Sequence, residues 1–158
     1  MIGAVLPLLV QAAAPLPAPV ENGLQPPMTF ACRLSGEAYV VGRISRFYGK
    51  AVPGMGLMAI PDAGGYRDHV IVEIQRSSLP GLAGRYDIVA RFPLKTDKMI
   101  LALPAVAGSG GYTLTASPAK FGIGYQAFTA LRVERTQSST AAWTGSCATT
   151  LPKPDKKP

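Results

Sequence analysis

From residue 28 onward, apolar and polar side chains alternate in short runs, each bounded by Gly, Pro, Asp or Ser. A period of two is what a strand needs when one face is buried and the other solvated. The runs recur about every 10 to 15 residues, the spacing of an all-β chain. They predict strands over residues 28–34, 38–47, 56–60, 69–76, 84–92, 98–103, 112–116, 127–135 and 142–148. In the fourth, Val70, Val72 and Ile74 share one face, with Glu73 and Gln75 opposite. In the fifth, Tyr86, Ile88, Ala90 and Phe92 point inward against Arg85, Asp87, Val89 and Arg91. Residues 98–103 are apolar on both faces, and Leu131 and Val133 alternate with Arg132 and Glu134. No segment has a helical period. Residues 77–83 have room for one turn, which Pro80 and Gly81 prevent from growing.

The expected fold is therefore all-β: an antiparallel barrel or sandwich of eight to nine strands, closed by one disulfide. The chain has two cysteines, Cys32 in the first strand and Cys147 in the last. With two cysteines, one intramolecular pairing exists. Closing a loop of over roughly a hundred residues removes about 4.7 kcal/mol of unfolded-state entropy in the chain-entropy account. Strands tied in this way are neighbours in a barrel or opposed across a sandwich. Both arrangements stay open, and a barrel is preferred because closure removes the two edge strands.

Outside the strands the pattern changes. Residues 2–10 are almost unbroken apolar and are followed by Ala12, Ala13 and Ala14, which reads as a signal-peptide-like segment over residues 1–14. The run is too short to span a bilayer as a helix. The expected cut falls before Ala13 or after Ala14, although no Lys or Arg precedes the apolar run. Residues 15–27 form a Pro/Ala-rich arm, 28–150 a single β domain, and 151–158 a basic disordered tail. Leader and disulfide together point to export, periplasmic or secreted, and the Ala/Gly/Pro/Arg bias of the composition points to a bacterial source. No Cys follows the apolar run, so a lipid anchor is not expected.

Composition adjusts this picture little. Hydrophobic residues make up 47% and charged residues 16%, which excludes disorder for the middle of the chain. The net charge of +7 favours acidic partners, so an anionic or amphipathic envelope ligand is expected, and nucleic acid is not. Three of the cations are Lys153, Lys156 and Lys157 in the tail, and the others are scattered among acids.

Candidate chemistry is sparse. His69 is the only histidine and reads as a surface residue, since its neighbour Asp68 points to the opposite face of a strand and does not orient it. Ser77 and Ser78 lie roughly 25 Å away along the same strand at 3.3 Å per residue. No catalytic residue, metal set or cofactor motif is assigned. The carboxylates are expected in cross-strand pairs, Glu73 near Asp87 and Asp87 with Arg85 or Arg91. Two stretches are candidate ligand-binding residues. Phe121, Tyr125 and Phe128 flank a Gly122-Ile123-Gly124 loop, as a cavity rim or an aromatic plug. Arg43, Arg46, Phe47 and Tyr48, with Lys50, form the densest basic-aromatic stretch. These features favour an exported, non-enzymatic β domain with a binding or structural role. A small hydrolase-type enzyme assembled around His69 is one alternative. A small outer-membrane β-barrel, which needs strands of about 9 to 11 residues, is the other.

Overall fold

A computed structural model of the chain describes residues 24–46, 58–60, 65–105, 111–119, 127–135 and 141–152. Nine strands are present: β1 (Met28–Leu34), β2 (Tyr39–Arg46), β3 (Met58–Ile60), β4 (Gly65–Ser77), β5 (Gly84–Pro93), β6 (Met99–Leu103), β7 (Tyr112–Ser117), β8 (Ala130–Arg135) and β9 (Ala142–Thr150). Eight of them close an antiparallel barrel in which each strand pairs with its sequence neighbour and β1 meets β9. β3 is an addition. It pairs with the first three residues of β4, and β2 takes that side of β4 from Val70 to Ser77. The leader, most of the arm and most of the tail lie outside the described residues.

The alternation in the sequence becomes the wall of the barrel. Met28, Phe30, Cys32 and Leu34 are buried on β1, and Val40 and Ile44 on β2. Val70, Val72 and Ile74 join them from β4, Tyr86, Ala90 and Phe92 from β5, and Leu131 and Val133 from β8. Outward positions carry mostly Arg, Glu, Thr, Ser and small side chains, which keep much of the other face solvated, although His69 and Ile71 on the outer side of β4 are covered. One register shift interrupts β2 and β4: Val41 pairs with Arg76 and Gly42 with Ile74, so Gln75 is an extra residue on β4.

Closure is tightest where β9 returns to β1. Cys32 and Cys147 are directly opposite in that pairing and form a disulfide with 4.0 Å between their Cα atoms. Leu34 pairs with Gly145, where a Cβ would lie 1.8 Å from the carbonyl oxygen of Arg33. Glycine is therefore the residue that lets the last strand approach the first. Gly42 has a related role, since a Cβ there would sit 2.9 Å from the Phe30 ring.

The two ends of the barrel differ. At the lower end, where β4 runs into β5, the turn carries Leu79 and Leu82 into the core. Tyr86 Oη donates to Leu82 O at 2.7 Å, and Tyr112 Oη donates to Pro80 O at 2.6 Å. Burial pushes the Tyr86 phenol above its ordinary value of 10.0, keeping it a donor. At the upper end β1, β4, β6 and β8 begin and β2, β5, β7 and β9 finish. The chain also enters β1 and leaves β9 at this end.

Candidate functional site

The upper end holds the one ion pair that the described residues place inside the wall. Arg46 ends β2 in the inward register set by Val40, Gly42 and Ile44. Asp68 lies two residues before Val70, in the inward register of β4, and pairs across the sheet with Ala90. Arg46 Nε donates to Asp68 Oδ2 at 2.5 Å. The aspartate is fully buried, and Arg46 is 6% exposed. Asp68 Oδ1 has no hydrogen-bond partner.

Desolvation dominates the electrostatics of this carboxyl. Burial raises its pKa above the ordinary 3.8, against the charge and hydrogen bond of Arg46 and the weaker pull of the His69 backbone and side chain. A buried acceptor without a donor costs about 1–3 kcal/mol. Apolar residues of similar volume in place of a buried ion pair are often neutral, or more stable by about 1–4 kcal/mol. The pair is therefore poorly explained as a fold stabiliser. A perturbed carboxyl with an unused oxygen, facing the inside of a barrel end, has the properties of a ligand anchor.

The basic-aromatic stretch does not form one surface. Arg43 and Arg46 are three residues apart on a strand, so they face opposite sides of the wall. Arg43 points outward, where its Nε donates to Glu73 Oε1 at 2.7 Å, whereas Arg46 points inward. Phe47, Tyr48 and Lys50 lie outside the described residues. Phe128 is buried at the upper end, its ring 5.5 Å from that of Phe30, so it fills the interior as a plug. Phe121 and Tyr125 also lie outside the described residues.

His69 and Asp68 face opposite sides, as alternation requires. The histidine is on the outer wall yet only 3% exposed, which a surface histidine would not be. Its Nε2 engages Asp87 Oδ1 from β5. Asp87 thus pairs with the imidazole and not with Arg85 or Arg91, while Glu73 stands opposite Arg85 and binds Arg43. Ser77 and Ser78 are committed at the lower end: Ser77 Oγ donates to Tyr39 O, and Ser78 Oγ accepts from Tyr39 N. Among the described residues no three His, Cys, Asp or Glu side chains are placed to hold a metal, and no helix is long and apolar enough to cross a membrane.

In the sequence alone Asp68 stands out only as the neighbour of His69. The signal that finds it is the alternation itself: stepping back by two from Ile74, Val72 and Val70 lands on Asp68. The same step forward from Val40 and Ile44 lands on Arg46. No protein-family description, curated protein or solved structure matches the chain.

Proposed function

We propose that this chain is an exported, non-enzymatic binding domain that takes a small amphipathic molecule at the upper end of its barrel. The observation that carries the reading is the buried Arg46–Asp68 pair with Oδ1 unpartnered. A ligand with an amine or hydroxyl head supplies the missing donor, and its apolar body meets the side chains around the pair. An eight-stranded barrel has the girth to hold one small ligand among its interior side chains.

Export is supported by the cross-strand disulfide and the signal-peptide-like leader, since such bonds persist in oxidising compartments. The apolar-in, polar-out alternation favours a water-facing barrel over an outer-membrane one, whose lipid-facing wall needs the reverse.

The test is thermal unfolding with a panel of amphipathic amines and alcohols, on the natural chain and on Arg46→Met/Asp68→Leu. A ligand that binds the native state raises the midpoint by mass action. The reading expects at least one compound to stabilise the natural chain and leave the double variant unmoved. Equal shifts in both proteins, or none in either, would reject Asp68 as the anchor.

A further inference from the structure

Among the described residues five large apolar side chains are exposed: Leu24, Tyr39, Tyr66, Leu94 and Leu151. Four of them gather at the upper end. Leu24 precedes β1, beside Gln25, whose N–H donates to Arg46 O. Tyr66 opens β4, Leu94 follows β5, and Leu151 follows β9. Tyr39 alone is at the lower end.

The same rim carries cations without partners. Arg67 and Arg91 are directly opposite across β4 and β5, both exposed on the outer wall. Like charges in that position destabilise a sheet, so neighbouring packing gives no reason for them. Lys95 and Lys98 stand exposed in the adjoining turn between β5 and β6, and none of the four makes an ion pair. Asp97 is the acid within that turn, and Asp87, further down β5, is held by His69.

We infer that the upper rim is a docking surface for an anionic phospholipid membrane. Exposed apolar side chains ringed by unpaired cations are what interfacial binding combines: leucine enters the headgroup boundary, tyrosine suits its depth, and cations meet lipid phosphate. The placement of both features at one end sets the barrel end-on to the bilayer. This surface is the outer rim of the end whose interior holds Asp68, and it is built from exposed side chains that the Asp68 anchor does not use.

The test uses the oxidised full chain with vesicles of phosphatidylcholine alone or mixed with phosphatidylglycerol, read by co-sedimentation. Every protein compared carries the same leader, so its contribution cancels. Binding is expected on the anionic vesicles, weak on the neutral ones, and reduced by high salt. Arg67→Gln/Arg91→Gln should lose roughly twenty-five-fold in affinity, each cation being worth about a factor of five at an anionic surface. Arg33→Gln/Arg76→Gln, the same charge change at the lower end, should lose little. Leu94→Ser, which leaves the charge unchanged, should weaken binding roughly fivefold or more as one leucine leaves the boundary. Melting no lower than that of the natural chain shows that the barrel is intact in each variant; Arg67→Gln/Arg91→Gln, which relieves a like-charge pair, should melt at the same temperature or slightly higher. The inference is overturned by equal losses in both arginine pairs, by no preference for anionic vesicles, or by no effect of Leu94→Ser. Release by excess inorganic phosphate at constant ionic strength would also overturn it, since that marks a discrete phosphate site.

Discussion

Asp68 and Arg46 make a divided prediction. Removing one partner leaves the other buried and uncompensated, so Asp68→Asn or Arg46→Met alone should cost about 3–5 kcal/mol in denaturant unfolding. Removing both, in Arg46→Met/Asp68→Leu, should be near neutral or stabilising. The pH dependence has a defined sign. The native carboxyl has a raised pKa, so the native state holds a proton that the unfolded chain has released. Stability contributed at this site therefore falls as pH rises from about 3.8 through the raised native value, and is level beyond it. The double variant should lack that slope when the two proteins are compared across the acid range. Gly145 makes a simpler case: Gly145→Ala sets a Cβ against the Arg33 carbonyl oxygen. It should cost about 1–3 kcal/mol or more, because backbone has to move to admit it.

The lower turn shows how a segment without regular structure is held by neighbouring strands. Leu79 and Leu82 fill the barrel end, while the Tyr86 and Tyr112 hydroxyls tie the carbonyls of Leu82 and Pro80. Tyr112→Phe should cost about 0.5–1.5 kcal/mol, the net value of one hydrogen bond, plus the penalty for a carbonyl left dry. Faster amide exchange at Leu82, whose N–H is bonded to Leu79 O, would report the loosened turn.

The strands themselves were legible because alternation is a local property. The inward faces of β4, β5 and β8 follow directly from Val70, Tyr86 and Leu131 and the positions two residues on. The start of β4 was not legible. Gly65, Tyr66, Arg67 and Asp68 carry no apolar alternation, and they are strand because β5 pairs with all four and β3 with the first three. The Arg46–Asp68 pair was obscured for a related reason. A cluster of basic and aromatic residue types drew attention to Arg43 through Tyr48 as one patch, when strand geometry sends Arg43 and Arg46 to opposite sides. His69 looked like a surface residue because the sequence does not show what covers the outer wall.

Taken whole, the molecule is a closed barrel whose first and last strands are neighbours pinned by a disulfide, with a sequence separation of 115. That pairing decides between barrel and sandwich, which two cysteines alone leave open. Cys32→Ala/Cys147→Ala should lose about 2–5 kcal/mol, the usual cost of removing a native disulfide. The loss should appear in the denaturation midpoint with the folded-state spectrum retained, because the β1–β9 ladder closes the barrel without the sulfurs.

The proposed export of this disulfide-bonded barrel is best tested by the intact mass of the protein from a periplasmic extract, with and without reduction before alkylation. The account predicts loss of the first 12 to 14 residues or so, as the roughly placed signal cleavage requires. It also predicts two thiols that react only after reduction. An uncleaved chain with two freely alkylated cysteines would contradict it.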